Sequence, residues 1–171
     1  MQLIKCTGKL QKEMGLKKKD LVSSEQESLC LGSWHANLIY IDRRKCILFT
    51  NDKTLFNFLA PDVSRDQIKE LAVLFRQYLA CVLSEEGISD SVLAQLMKEY
   101  NEIGYSSTDS KKVLGSMNDL AFHYKFRILD EGGVHSYKIP QIIKDLNRMP
   151  MRTIKYMYPI ELLKKACESA I

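Results

Sequence analysis

The chain has 171 residues, with 25 Lys+Arg against 21 Asp+Glu, 46% hydrophobic residues, and only 8 Gly and 4 Pro. Those proportions exclude a disordered, fibrous or linker-rich chain, and no apolar run approaches the ~18 residues of a membrane span. At this length one domain over residues 1–171 is expected, large enough to bury its own core without staples. Cys6, Cys30, Cys46, Cys81 and Cys167 are odd in number, widely spaced and free of any C-x-x-C pair. They read as reduced thiols in a cytoplasmic protein, and the opening Met1–Cys6 lacks the apolar core and cleavage site of a secretory signal.

Met1–Cys6 reads as a short strand, and Thr7 as the cap of a brief helix bearing Leu10 and Met14 and stopped by Gly15. A polar connection follows, through Lys17-Lys18-Lys19 and the stretch 23–28. The strongest strand signal is Trp34–Ile41, followed by Lys45–Thr50; Asp42-Arg43-Arg44 between them makes the pair a β-hairpin. Thr54–Leu59 reads as a turn or two of helix ended by Pro61. Ser64 and Gln67 form a capping box for a long helix carrying Ile68, Leu71, Phe75, Leu79 and Val82, and Gly87 stops it. A helix from Ser89 carries Val92, Leu93 and Leu96, and Glu102–Ser106 reads as a strand. Asp109 or Ser110 opens a helix with Val113, Met117, Leu120, Tyr124 and Ile128 on one face, ended by Gly132-Gly133. Pro140 and Pro159 suit the first turns of two last helices, with Met151–Tyr158 between them favouring a strand. The fold class is α+β: a small, mostly antiparallel sheet with a hairpin near 34–50, packed against four or five helices.

Three blocks, in order, also carry a resemblance: Leu31–Leu38 running into Ile41–Asn51, then Val113-Leu114-Gly115-Ser116-Met117-Asn118-Asp119, then Asn147–Met151 through Tyr156–Glu161. The pattern resembles a family of small bacterial proteins known only as a domain of unknown function. The resemblance implies a stand-alone bacterial domain and supplies no activity, substrate or catalytic residues.

Function therefore rests on the residues. Charge is uneven: 10 Lys+Arg against 6 acids over residues 1–60, 4 against 9 over 61–109, and 11 against 6 over 110–171. Basic residues with neighbouring aromatics suit an anion or a nucleic-acid backbone, which singles out Arg43, Arg44 and Lys45 at the hairpin tip. Lys111 and Lys112 at a helix start, and Arg148 and Arg152 in a loop able to clamp a phosphate or carboxylate, complete that set. Ser116, Asp119 and His123 share a helix face with Arg127 one turn on, but Asp119 lies between the other two, the wrong order for a triad. His123 with Asp119 remains the candidate for acid–base work. His35 and His135 have no carboxylate at useful spacing and read as polar surface or partly buried residues, and Trp34 as a core anchor. Cys and His never cluster at ligand spacing, so no metal is expected; nor is a cofactor, since no phosphate loop or dinucleotide fingerprint is present. The leading expectation is a non-enzymatic binding module with a protein partner and no membrane association. The first alternative is a protein that binds or cuts nucleic acid with the basic residues above, and the second a small-molecule enzyme using His123.

Overall fold

The computed structural model describes residues 1–23 and 29–169; the polar connection expected over 23–28 lies, apart from Ser23, outside them. Five strands form one mixed sheet: β1 (Gln2–Cys6), β2 (Trp34–Ile41), β3 (Arg44–Asn51), β4 (Asn57–Ala60) and β5 (Ile103–Ser107). Their order is β4-β3-β2-β1-β5. β2, β3 and β4 run antiparallel, whereas β1 is parallel to both its neighbours, so most of the paired length is antiparallel. Among the described residues seven α-helices accompany it: α1 (Gly8–Met14), α2 (Arg65–Lys69), α3 (Leu71–Glu85), α4 (Asp90–Glu99), α5 (Lys111–Asp130), α6 (Ile139–Leu146) and α7 (Pro159–Glu168). The architecture is α+β, and no helix among the described residues is long and apolar enough to cross a membrane.

Local chemistry sets these boundaries. The hairpin closes through only two residues, Asp42 and Arg43, both at positive φ (47° and 63°), the twist that matches two right-handed strands. Ser64 accepts from the Gln67 amide while the Gln67 side chain accepts from Ser64 N–H, which closes the capping box ahead of α2. Ser110 caps α5 by accepting from Val113 N–H. Thr7 holds the cap position of α1, but its hydroxyl donates instead to Asn37 Oδ1 across the sheet.

Three expectations change. The one long helix expected after Ser64 is broken at Glu70, whose backbone leaves the helical region, into α2 and α3. Thr54–Leu59 is not helical: Asn57–Ala60 forms β4, because Phe58 and Leu59 find partners on β3, Phe49 and Leu48, and all four residues are buried. Met151–Tyr158 is not a strand: it folds around a single 3-10 turn at Arg152–Ile154, closed by one bridge between Met151 and Met157. Lys155 and Tyr156 at positive φ (56° and 62°) turn the chain back there.

Alternation along the strands gives the sheet two unlike faces. One is aromatic: Trp34 packs edge-on against Phe58 and Phe75, with ring centroids 5.6 and 5.3 Å apart, and its indole N–H donates to Tyr100 Oη. α3 supplies Phe75, so it covers this face, and Trp34 is the core anchor anticipated. The other face carries a transverse row in register across all five strands: Asn57, Thr50, His35, Lys5 and Ser106. All five are buried. α5 packs over this face, reaching Asn57 with the hydroxyl of Tyr124 at 2.7 Å.

β4 is the edge strand, and its outward backbone groups at Asn57 need partners. The Asn147 side-chain amide provides both: Oδ1 accepts from Asn57 N–H at 2.9 Å and Nδ2 donates to Asn57 C=O at 2.7 Å. The same amide also donates to Ile143 C=O, fixing the end of α6. Removing it leaves several buried groups unpaired. Asn147→Ala is expected to cost about 3 kcal/mol in urea unfolding, against under about 0.5 kcal/mol for the exposed Arg152→Ala; a loss below about 1 kcal/mol for the former would mean that the edge is held by other groups.

Candidate functional site

Four charged or titratable side chains meet at the β5 side of the polar row. Lys5 stands in the apolar run Leu3-Ile4-Lys5-Cys6, so its ammonium must be neutralised inside the protein. Asp52 and Asp109 do this, at 2.8 and 2.9 Å. Asp52 arrives because Asn51 closes the exit from β3: its Oδ1 accepts from the amides of Lys53 and Thr54, and its Nδ2 donates to Leu31 C=O. Asp109 arrives on the link from β5 to α5. His35, fully buried, donates from Nδ1 to Asp52 Oδ1 at 2.5 Å, while its Nε2 points toward Asp109 Oδ1 at 3.9 Å and has no hydrogen-bond partner among the described residues. The expectation of a partnerless His35 is thus corrected: its carboxylate lies 17 positions on, brought back by the Asn51 turn. His135 is exposed but also has a carboxylate, Asp62, at 3.3 Å.

This cluster ties β1, β2 and the end of β3 to the start of α5. Burial alone would raise the Asp52 pKa, but the His35 hydrogen bond and the Lys5 charge outweigh it and hold the carboxyl below its usual 3.8. Burial likewise opposes the charge on Lys5, but Asp52 and Asp109 keep its pKa above 10.5. The middle of α5 is seated by Tyr124 on Asn57, and its flank by Ser116, whose hydroxyl lies 2.8 Å from that of Thr153.

Held in this way, α5 turns one side outward. Phe122, Phe126 and Leu129 lie along it, 69%, 66% and 52% exposed, while Met117, Leu120, Tyr124 and Ile128 face the sheet. Beside this stripe a cavity of about 250 Å³ opens between α5 and the loop at 149–153. Asp119 and His123 line it together with Ser116, Phe122 and Arg152. Arg127 points elsewhere and pairs with Asp145 at 2.5 Å.

The basic candidates are dispersed among ion pairs. Arg44 lies 3.6 Å from Asp62, Lys45 pairs with Glu13, and Arg148 grips Glu86 through both guanidinium nitrogens at 3.0 and 2.7 Å. Arg148 also donates to the C-terminal carbonyl of Lys144. Arg43, Lys111, Lys112 and Arg152 have no ion-pair partner among the described residues. Sequence reasoning singled out Asp119, His123 and the basic set and passed over Lys5, Asp52 and Asp109, which the fold brings together. A lysine inside an apolar strand was the one available signal.

A protein-family profile, the domain of unknown function DUF6933, matches residues 3–162, and the chain belongs to that family. No curated protein and no solved structure matches it.

Acid sensitivity follows from the cluster. Because Asp52 is held below its unfolded value, its ionisation stabilises the fold above about pH 4, and that contribution is lost as pH falls through the lower folded value. Asp52→Asn is expected to cost about 2–4 kcal/mol at pH 7, since it leaves His35 and Lys5 short of a buried counter-charge, and to flatten the loss seen on acidification. An unchanged acid limb in urea titrations of the variant would show that other carboxylates govern it.

Proposed function

We propose that the chain is a non-enzymatic protein-binding module of the bacterial cytoplasm, with the outward face of α5 as its contact surface. The observation that carries this reading is the line Phe122–Phe126–Leu129, three large apolar side chains exposed along a helix whose opposite face is fully packed. Single exposed apolar residues are ordinary, but an aligned set marks a surface that is covered when the protein works. Five free cysteines support a reducing compartment. Bacterial origin rests on the sequence resemblance alone.

Two other readings draw on neighbouring features. Nucleic-acid binding or cleavage draws on Arg43, Lys111, Lys112 and Arg152, which have no ion-pair partner among the described residues, and on the exposed rings of α5. Against it, Asp119 and Asp130 lie on the same side of α5 and would repel phosphates, and Leu129 offers a base nothing to stack on. Small-molecule chemistry draws on the cavity holding Asp119 and His123; half of its lining residues come from the 149–153 loop, and Asp119 and His123 make no hydrogen bond to each other there.

Site-specific photo-crosslinking in cells separates these readings. A benzoylphenylalanine at position 126 is expected to yield a discrete protein adduct, and one at Val73, an exposed apolar position on α3, is not. Nuclease-sensitive adducts would move the assignment to nucleic acid. The absence of any adduct at 126, or equal adducts at both positions, would overturn the protein-binding reading.

A further inference from the structure

We infer that the occupant of the outward face of α5 is a second copy of this chain, packed as an antiparallel α5–α5 pair across a two-fold axis; the inference rests on the reading of α5 as a contact surface.

The first support is the charge at the ends of α5. A helix favours acids in its first turn and bases in its last, yet the first turn of α5 carries Lys111 and Lys112 and no acid, and its last residue is Asp130, while Arg127, the base of its last turn, is taken up by Asp145. Lys111, Lys112 and Asp130 oppose the helix's own dipole. An antiparallel neighbour reverses this: Lys112 comes to lie beside the carbonyl end of the partner helix, and Asp130 beside its amide end.

The second support is self-complementarity along the helix. At about 100° per residue, Gly115, Phe122 and Phe126 centre the exposed stripe. Lys112, Asp119, His123 and Asp130 lie together on one flank, beside the cavity. A two-fold axis perpendicular to the helix sets that flank against the same flank of the partner in reverse order. Lys112 then meets Asp130 of the partner copy, and Asp119 meets its His123, each contact occurring twice. Within one chain none of these four has an ion pair or a side-chain hydrogen bond among the described residues; Asp119 and His123 stand free to pair across the axis.

The third support is shape. Along the stripe the same operation sets Phe126 and Leu129 over Asn118 and Gly115 of the partner. Gly115 is exposed and an added Cβ there would meet nothing within 4 Å, so only backbone stands opposite the Leu129 of the partner. The missing side chain on one copy and the protruding one on the other fit together.

Sedimentation velocity of the full chain over roughly 5–200 µM tests this. A concentration-dependent dimer is expected. Asp130→Lys should weaken it at least tenfold by setting like charges together, and the double variant Lys112→Asp/Asp130→Lys should restore it to within about threefold. Gly115→Leu adds a side chain there without a clash in the monomer and raises helix propensity, so it should reduce dimerisation while leaving thermal stability intact. A chain that stays monomeric throughout, or a dimer indifferent to Asp130→Lys and Gly115→Leu, would overturn the inference. If the chain is monomeric yet position 126 still crosslinks to another protein, the contact-surface reading survives and only the second copy is rejected. If it is monomeric and crosslinks to nothing, both fall.

Discussion

The fold depends on a row of five polar side chains buried across the whole width of a sheet. Asn57, Thr50, His35, Lys5 and Ser106 stand side by side, one on each strand, on a face that would ordinarily be aliphatic. Burying such groups is costly unless they find partners; the hydroxyls of Thr50 and Ser106 have none among the described residues, and it is the requirement of the other three, Asn57, His35 and Lys5, that decides what covers the face. Two carboxylates must come to Lys5 and His35, and they come from the turn after β3 and from the approach to α5. At the other end an asparagine and a tyrosine must come to Asn57. An apolar row would accept many helix placements; this one accepts few, because displacing α5 strands charges as well as methyl groups.

The three sequence blocks gain a common meaning from this row. The first supplies His35 and, at its close, Asn51, whose turn delivers Asp52. The second is the first half of α5, with Ser116 against Thr153 and Asp119 in the cavity wall. The third supplies Asn147, which closes the sheet edge, and the loop that forms the other cavity wall. Each either seats α5 or shapes the surface beside it. A helix fixed so firmly on one side and left apolar on the other is a platform: its buried contacts fix the backbone that carries Phe122, Phe126 and Leu129, so little backbone freedom is left to lose on association.

Much of the fold was legible in the sequence because the signals were local. The aromatic and β-branched run Trp34–Ile41, the Ser64–Gln67 box, and the periodic apolar positions of 113–128 each specify an element within a few residues. β4 was misread because Thr54–Leu59 is too short to show a period, and its strand identity comes from pairing with Phe49 and Leu48 on β3. The charged cluster was illegible for a similar reason: Lys5, His35, Asp52 and Asp109 are separated by 17 positions or more and meet only through strand register. The exposed stripe of α5 was hidden in plain view. Phe122, Phe126 and Leu129 follow helical spacing as faithfully as the core residues do, but on the other side, and only the sheet shows which side is inside.

The most direct test of the account is an amide-resolved NMR comparison of the protein when dilute and when concentrated. The account predicts that concentration-dependent shifts cluster at the outward positions of α5, from Gly115 to Asp130, while the amides of Lys5, His35 and Asn57 beneath it stay fixed. Shifts spread over the aromatic-side helices, or a spectrum indifferent to concentration, would contradict it.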